Sequence, residues 1–272
     1  MRKALFHAIA ISALGASALA GLAFWPDASV SAKEVESSPR AEAQPSRHWG
    51  YEGAEGPEFW GELASEFSQC SIGTQQSPID LKRAGAIDAN LDELAFNYQP
   101  TPLDIVNNGH TIQVNYAPGS TLTLDGQTYD LLQFHFHDPS EHTVDGEPHP
   151  MEAHLVHKNS TTGDLTVVGI FLDIGAENEA LQTVWEAMPR EAGPAFAVAD
   201  VKLNAMDLLP ANTQDFYRYS GSLTTPPCSE IVNWIVMKEP VEVSFQQVER
   251  FAATVGENAR PTQASNRRFV LD

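Results

Sequence analysis

The sequence predicts a mainly β protein built around an antiparallel sheet. Short runs of β-branched and aromatic residues, bounded by Gly, Pro, Asn and Asp, recur between Leu94 and Val241, which is typical of strands joined by turns. Only two segments have the apolar spacing of a helix. Many hairpin-linked strands with two modest helices favour a mainly antiparallel sheet in a single domain.

Residues 1–32 have the pattern of an export signal. Arg2 and Lys3 precede a run rich in Ala, Leu and Ile that extends to about Trp25, and small residues at 18–20 and 30–32 are candidate cleavage sites. The apolar run is long for a signal, so an uncleaved membrane anchor is the alternative. We expect an exported protein, periplasmic or secreted.

Residues 33–46 are polar, contain prolines and lack aromatic side chains, which predicts a disordered leader. Residues 47–272 then form one large catalytic domain, because β-rich domains of this size commonly stay undivided. The formal net charge is −20. Nucleic acid is therefore not an expected partner, since phosphate binding needs a basic surface.

The predicted elements follow from local patterns. Leu181, Val184, Trp185 and Met188 repeat at helical spacing before Pro189, and a capping box at residues 244–247 opens a second helix that runs through Phe251. An Asp-Gly pair at 125–126 predicts a hairpin. The predicted strands are 94–98, 103–107, 111–116, 121–124, 130–137, 152–158, 165–173, 216–220, 231–237 and the surroundings of Val241.

Cys70 and Cys228 are the only cysteines. Export would place them where disulfides persist, so we predict a Cys70–Cys228 bridge, with two separate thiols as the alternative. The bridge would also restrain the neighbouring loop at residues 224–227.

The histidines carry the strongest functional signal. In Gln133-Phe134-His135-Phe136-His137, side-chain alternation puts His135 and His137 on one face of a strand and the phenylalanines on the other. A third histidine, His154, lies in a second predicted strand. Three neutral imidazoles with one open position are the ligand set of a catalytic zinc site.

Gln133 and Glu152 each lie two residues before one of these histidines and share its face. Each is placed to accept the spare ring N–H of its histidine and so to fix the tautomer and orientation of the ring. The alternative is that the histidines are partly buried strand residues without a ligand. No His-Glu-x-x-His motif offers another zinc site.

Further motifs point to a family. The chain resembles the α-class carbonic anhydrases across almost the whole exported part. The motifs that carry the resemblance are 48–51 (HWGY), 76–79 (QSPI), 107–110 (NNGH), 133–137 (QFHFH), 140–142 (SEH), 152–157 (EAHLVH), 165–172, 222–228 (SLTTPPC) and 258–261 (NARP). The resemblance implies a large, twisted, mostly antiparallel sheet of about ten strands with a few short peripheral helices. It also makes Ser77-Pro78 and Pro226-Pro227 candidate cis bonds.

By this resemblance, His135, His137 and His154 bind zinc (Zn²⁺), and the enzyme reversibly hydrates carbon dioxide to bicarbonate and a proton. A zinc-bound hydroxide would attack the carbon dioxide. Thr224 would orient this nucleophile and donate its own proton to Glu141. His110 matches the position of the histidine that shuttles protons to buffer.

The resemblance also implies a substrate pocket and ligands. Sulfonamides and small anions are expected inhibitors, and a homodimer is compatible with the resemblance because bacterial relatives are often dimers. His142 and His157 have structural positions, whereas His149 has no assigned role. The residues that match the pocket are Val156, Val167, Leu223, Thr225, Val232 and Trp234.

Two other functions fit parts of the pattern. A non-catalytic binding protein on the same fold would typically lack a metal histidine, but all three are present here with Thr224 and Glu141. A zinc hydrolase acting mainly on esters would need a wider pocket, although weak esterase activity is expected as a side reaction. The sequence therefore favours an exported carbonate dehydratase, a lyase.

Overall fold

A computed structural model describes residues 48–272. The predicted signal peptide and leader lie outside these residues. Within them, no helix is long and apolar enough to cross a membrane.

Fourteen strands are present among the described residues. Eleven of them form one sheet, and the other three form a small separate sheet. Their bounds are β1 Asp80–Leu81, β2 Ala95–Asn97, β3 Thr101–Asn107, β4 Ile112–Asn115, β5 Thr121–Leu124, β6 Gln127–His137, β7 Thr143–Val144, β8 Glu147–Pro148, β9 Met151–Lys158, β10 Leu165–Ile174, β11 Phe196–Leu203, β12 Phe216–Gly221, β13 Val232–Met237 and β14 Val241–Val243.

The large sheet is mostly antiparallel, as predicted. Its main path follows the order β11-β3-β4-β6-β9-β10-β13-β12, with β5 beside β6, β2 beside β5 and β14 beside β10. Among the described strands of this sheet, the parallel pairs are β10 with β13 and β10 with β14. The small sheet has the order β1-β7-β8. The centre of the large sheet is therefore the antiparallel set β4, β6, β9 and β10.

The sequence patterns missed four strands. Three of them, β1, β7 and β8, contain two residues each, too few for alternation to be visible. The fourth, β11, is an edge strand in which all but one residue is exposed or half-buried. An edge strand with little buried surface has no apolar period, so its pairing with β3 could not be predicted.

Both predicted helices are present, as α3 (Glu179–Ala187) and α4 (Phe245–Val255). The Ser244 side chain accepts a hydrogen bond from the backbone of Gln247, whose side chain bonds back to Ser244 in the predicted capping box. Shorter helices are α1 (Trp60–Leu63), α2 (Gln69–Ile72) and the 3₁₀ turns Gly53–Glu55, Ser65–Phe67, Arg83–Gly85 and Ala205–Leu208.

The main hydrophobic core lies under α3 and α4. Phe134 and Phe136 of β6 are fully buried in it, and the Phe136 ring meets the Trp185 ring at a centroid distance of 4.7 Å. Burying an aromatic side chain of this size stabilises the fold by about 1.5–3 kcal/mol. This anchoring fixes which face of β6 points to the core, and the alternating residues face the other way.

The Cys70–Cys228 disulfide is present, which confirms the predicted bridge. It packs with Trp60 in a small cluster of its own. Ser77-Pro78 and Pro226-Pro227 are cis, and so is Asp138-Pro139. The bridge joins α2 to the loop that follows β12, across a sequence separation of 158 residues.

Reducing this disulfide should lower the melting temperature. A cross-link that closes so long a loop stabilises by about 4–5 kcal/mol in the chain-entropy model, which corresponds to roughly 10 °C for a domain of this size. Thermal unfolding with and without reductant measures the shift, and a Cys70→Ser/Cys228→Ser double variant should not respond to reductant. An unchanged melting temperature, with two thiols titrating in the untreated protein, would contradict the bridge.

A second stability prediction concerns His157, which is fully buried between the Tyr98 hydroxyl and the Thr166 carbonyl. Burial lowers the pKa of His157 from 6.5 to about 4. Between pH 6.5 and pH 4, the imidazole of residue 157 therefore binds a proton in the unfolded chain more readily than in the folded protein. The contribution of the buried neutral ring to the free energy of unfolding is complete above pH 6.5 and is lost as the pH falls toward 4. The loss amounts to about 3 kcal/mol.

Urea unfolding of the wild type and of His157→Gln at several pH values from 7.5 to 4 tests this expectation. The variant should be less stable at pH 7.5 but should lose less stability on acidification. Identical pH slopes in the two proteins would show that His157 does not carry the effect.

Candidate metal centre

Three histidines converge on one point at the centre of the large sheet. His135 and His137 lie on β6, and His154 lies on β9. The register pairs His135 directly with His154 across the two antiparallel strands. One ring nitrogen from each of the three lies within 4.8 Å of the others. The predicted histidine triad is confirmed as a potential metal site.

Each ring is oriented by a hydrogen bond from its other nitrogen. His135 Nδ1 lies 2.9 Å from Gln133 Oε1, and His154 Nε2 lies 2.9 Å from Glu152 Oε1. His137 Nδ1 lies 2.8 Å from the carbonyl oxygen of Asn258. In a neutral imidazole, an N–H donated to such an acceptor leaves the opposite nitrogen unprotonated and able to bind a metal.

The unprotonated nitrogens fit a bound cation. His137 Nε2 is buried and has no hydrogen-bond partner within residues 48–272, which is unusual because buried polar atoms are normally paired. Its neighbours in the triad present free nitrogens to the same point. A metal ion bound by three imidazoles accounts for all of these lone pairs.

The electrostatics of the pocket keep two of the rings neutral. Burial lowers the pKa of His135 well below its ordinary value, and the neighbouring His137 and His154 lower it further. Burial also lowers the pKa of His137, although Glu141 opposes the shift. Burial acts on His154 in the same direction, but the Glu152 carboxylate outweighs it and raises the pKa overall. A carboxylate that accepts a hydrogen bond from one nitrogen of an imidazole makes the other nitrogen a stronger electron donor to a metal.

The Glu152 carboxylate binds several groups at once. Burial would raise its pKa, but His142 and His154 hold the pKa well below its usual range, so the group is ionised. Oε1 lies 2.7 Å from His142 Nδ1, and Oε2 accepts hydrogen bonds from the backbone N–H groups of Glu141 and His142. His142 Nε2 in turn lies 2.7 Å from the Tyr219 hydroxyl. His142 thus has a structural role behind the triad.

Glu141 is buried beside the triad. Its Oε1 accepts a hydrogen bond from the Arg260 backbone N–H at 2.9 Å. Its Oε2 lies 3.5 Å from His137 Nε2 and 3.8 Å from His154 Nδ1, and it has no hydrogen-bond partner among the described residues. The expected hydrogen bond from Thr224 to Glu141 is therefore not present in this structure, and that relay stays a prediction.

Thr224 is buried in the loop that follows β12. Backbone hydrogen bonds from Leu223 to Ser229 and from Cys228 to Thr225 close this loop on itself. The disulfide at Cys228 ties it to α2. The loop is therefore held at both ends of the segment that carries the threonine.

Five of the six predicted pocket residues belong to one apolar cluster. Val156 pairs with Val167 across β9 and β10, and Val167 pairs with Trp234 across β10 and β13. The Trp234 ring also lies 4.8 Å, centroid to centroid, from the His154 ring. Val167, Val232 and Trp234 are buried members of this cluster, Val156 and Leu223 are partly buried and pack against it, and Thr225 is not part of it.

His110 lies outside the triad. It follows β3 in a turn in which Gly109 has a positive φ of 88°. Its ring stacks on the Trp49 indole at a centroid distance of 3.6 Å. Burial lowers the pKa of His110, and a charge on His48 lowers it further.

Sequence reasoning gave no role to Asn258. Besides accepting the His137 N–H, it donates through Nδ2 to the carbonyl oxygens of His110 and Phe136, and its Oδ1 accepts from the Asp138 N–H. One buried residue therefore joins the turn of His110 to the end of β6. The sequence did contain one indication of such a residue. Gln133 and Glu152 were predicted as acceptors for two of the rings, so an acceptor for His137 was still to be found.

Comparison with known proteins identifies the family. A model of the eukaryotic-type carbonic anhydrases matches residues 55–272. A carbonic anhydrase from Nostoc sp. is 50% identical over 228 residues, which cover 83% of this chain and 86% of that protein. The chain belongs to the α-class carbonic anhydrase family. It is accordingly an enzyme with carbonic anhydrase activity.

Solved structures agree with this assignment. The α-carbonic anhydrase of Thermovibrio ammonificans, in complex with the inhibitor sulfanilamide, is 48% identical with a TM-score of 0.80, covering 83% of this chain and 99% of that one. Dioscorin complexed with ascorbate has the same fold at 31% identity and a TM-score of 0.76, covering 83% of this chain and 97% of that one.

Gly169 offers a test of how the triad of this carbonic anhydrase is supported. It lies opposite His154 in the β9–β10 register, and a Cβ added there would approach Glu152 Oε1 to 2.7 Å. That carboxylate cannot move without releasing His142 or His154. We expect Gly169→Ala to weaken metal retention by about 10- to 100-fold, which is the typical effect of disturbing a group that hydrogen-bonds to a metal-binding histidine.

Metal retention against a chelator, followed by elemental analysis, measures the effect. Gly193→Ala is the matched control, because a Cβ at that position meets nothing within 4 Å. Equal retention in both variants would show that the close packing at residue 169 does not support the metal centre.

Proposed function

We propose that this chain is an exported zinc enzyme that hydrates carbon dioxide through the triad His135, His137 and His154. The observation that carries the proposal is the arrangement of the three rings, each oriented by its own acceptor and each presenting a free nitrogen to one point. Three imidazoles with an open position are the ligands of catalytic rather than structural zinc. The disulfide supports export, because such bonds persist outside the cytoplasm.

A bound zinc ion would supply Lewis acidity, which activates water near neutral pH; carbonic anhydrases are themselves the reference example of this effect. The role of the protein is to orient the reactants. Gln133, Glu152 and the Asn258 carbonyl hold the rings in the required tautomers.

We propose that Thr224 and Glu141 orient the water oxygen that attacks the substrate. Glu141 Oε2 is a buried acceptor that lacks a donor within the described part of the chain, so it is available to the Thr224 hydroxyl. The second carboxylate oxygen is already fixed by Arg260. A threonine whose hydroxyl proton is committed to Glu141 can only accept a hydrogen bond from the nucleophile, which limits the orientation of the attack.

The substrate would lie against the part of this apolar cluster that Val156, Val167, Leu223, Val232 and Trp234 provide. Carbon dioxide carries no charge, so apolar contacts next to the triad suffice to bind it. Thr225 follows Thr224 in the same loop, and we place it at the rim of the pocket. The contact between Trp234 and His154 supports this placement, because it joins the apolar wall to the ligand rings.

His110 would carry the product proton to buffer. An imidazole suits this task because its ordinary pKa lies near neutrality, and burial together with a charge on His48 lowers the pKa of His110. The lowered pKa favours release of the proton once the ring has accepted it. His110 makes no aromatic contact with the triad within residues 48–272, so it acts at a distance from the metal.

The proposal extends to inhibitors and side reactions. Because the Thermovibrio relative forms a complex with sulfanilamide, we propose that sulfonamides and small anions bind at the open position of this triad. The water that a bound zinc ion would activate should also hydrolyse activated esters weakly. Dioscorin has the same fold and is found in a complex with ascorbate, so the fold alone does not indicate one ligand. The histidine triad is therefore the argument for carbon dioxide hydration as the main reaction.

Two substitutions separate the metal role from the proton role. His154→Ala should lose zinc and nearly all hydration activity. His110→Ala should keep zinc and kcat/KM, but should lose about 10-fold or more of kcat in weak buffer, because general acid–base groups contribute at least that much. Stopped-flow hydration and zinc analysis measure both.

Added imidazole should restore the kcat of His110→Ala, since the buffer then replaces the shuttle. If His110→Ala is as fast as the wild type in weak buffer, the shuttle assignment is wrong. If His154→Ala keeps stoichiometric zinc, the ligand assignment is wrong.

A further inference from the structure

A cavity of about 540 Å³ lies at the β12 edge of the large sheet, between that strand and residues 267–271; we call it the β12 cavity. Three arginines line it, namely Arg218, Arg267 and Arg268, and no acidic side chain lines it within residues 48–272. The whole chain has 36 acidic and only 16 basic residues. The lining of the β12 cavity is therefore opposite in charge to the protein that contains it, and no step of the proposed function uses it.

Arg268 is held in place without losing its charge. Its guanidinium donates four hydrogen bonds of 2.8 to 3.1 Å to backbone carbonyl oxygens. The acceptors belong to Gln76, Ser220, Ala264 and Ser265. A guanidinium has five N–H donors, so one N–H on Nη1 remains for a ligand. Because carbonyl groups carry no net charge, the guanidinium stays cationic, and its fixed plane lowers the entropy cost of binding an oxyanion.

The other two arginines differ in their contacts. Arg218 donates to both carboxylate oxygens of Asp125, and its Nε donates to Asn233 Oδ1 at 3.2 Å. Its charge is compensated, so it serves mainly as one wall. Arg267 is exposed. Neither Arg267 nor Arg268 forms an ion pair with a carboxylate in the part of the chain that the structure describes.

One carboxylate, that of Glu230, acts on Arg268 from outside the lining. Burial lowers the pKa of Arg268, and Glu230 is among the groups that oppose this shift. Glu230 Oε1 already accepts hydrogen bonds from the Gln75 backbone N–H at 2.6 Å and from Gln76 Nε2 at 3.0 Å. The carboxylate is thus committed to other donors, and it leaves the positive charge of the cavity available.

The remaining lining adds neutral donors and apolar surface. Asn233 and Ser220 lie opposite each other on β13 and β12 and contribute an amide and a hydroxyl group. The Phe269 side chain is 70% exposed, and Leu271 is held against Arg218 by two backbone hydrogen bonds. An exposed aromatic ring beside cationic groups suits a ligand that has both an anionic and an apolar part.

We propose that the β12 cavity binds a small organic anion that carries a phosphate or carboxylate group beside an aromatic or apolar part. Arg267 and Arg268 bind the anionic group through charge-assisted hydrogen bonds, and Phe269 covers the apolar part. The volume lies in the range of small-molecule sites. The proposal does not rest on the proposed function, because it uses none of the residues assigned to hydration.

The β12 cavity is distinct from the metal centre. Tyr219 is part of its lining, with the Arg268 guanidinium 5.5 Å from the centroid of the ring. The Tyr219 hydroxyl lies 2.7 Å from His142 Nε2, and His142 in turn contacts Glu152. Two buried side chains therefore stand between Tyr219 and His154, so a ligand in the cavity does not occupy the open position of the triad.

Phenyl phosphate is a suitable probe, because it joins an oxyanion to an aromatic ring. Isothermal titration calorimetry of the zinc-loaded enzyme, with excess sulfanilamide to occupy the triad, should detect one site. Arg267→Gln should bind the probe about tenfold more weakly, which is the typical effect of losing one charge-assisted hydrogen bond. Its fold and hydration activity should not change. Arg190→Gln is the matched control, because it removes the same charge from an exposed arginine outside the cavity.

A second set of titrations tests the chemical class of the ligand. Phe269→Ala should weaken the binding of phenyl phosphate about threefold and leave that of inorganic phosphate unchanged, since inorganic phosphate has no ring. Phenol lacks the anionic group and should not bind. Tighter binding of phenyl phosphate than of benzoate would identify the natural ligand as a phosphate, and the reverse order would identify it as a carboxylate.

Three results would overturn the proposal. Equal affinities of the wild type and Arg267→Gln would show that the probe does not bind at the arginines. Equal losses in Arg267→Gln and Arg190→Gln would mean that only the total charge of the protein matters. If neither phenyl phosphate nor benzoate binds the wild type, but a short polyglutamate peptide does, the arginines belong to a protein-contact surface and not to a small-molecule site.

Discussion

The buried carboxylate of Glu152 is the group on which the metal centre depends. It accepts four hydrogen bonds, from the rings of His142 and His154 and from the backbone N–H groups of Glu141 and His142. An uncompensated charge at such depth would cost several kcal/mol. Since every donor here has a fixed position, the carboxylate cannot rotate without losing one. The orientation of His154 and the backbone position of Glu141 follow from this one side chain.

The sheet supplies the frame for this carboxylate. The β6–β9 register sets His135 opposite His154, and the β9–β10 register sets Gly169 on the other side of His154. A larger residue than glycine would collide with Glu152. The phenylalanines on the opposite face of β6 fix the strand against the core. Packing on one face of the strand thus determines where the histidine rings on the opposite face lie.

Much of this arrangement could be predicted from local sequence. Alternation along β6 places His135 and His137 on one face, and it puts Gln133 on that face too, where it reaches the ring of His135. The capping box at Ser244 and the apolar spacing around Trp185 were sufficient to predict α3 and α4. In each case the signal lies within a few residues, so pattern and geometry coincide.

The features that escaped prediction are defined by distant contacts. Asn258 serves His137 through a backbone carbonyl at a separation of 121 residues, and a carbonyl has no sequence signature. The edge strand β11 pairs with β3 across a register shift and buries little. Arg260 reaches Glu141 through its backbone N–H, while its guanidinium binds the carbonyls of Ser77 and Cys70. Only the folded chain brings these groups together.

The distant position of Asn258 has a consequence for the robustness of the triad. Two of the three ring acceptors lie on the same strands as the histidines they serve, so those two contacts are local to β6 and β9. The third comes from the segment beyond α4. Detachment of that segment would therefore release the ring of His137 while His135 and His154 kept their acceptors.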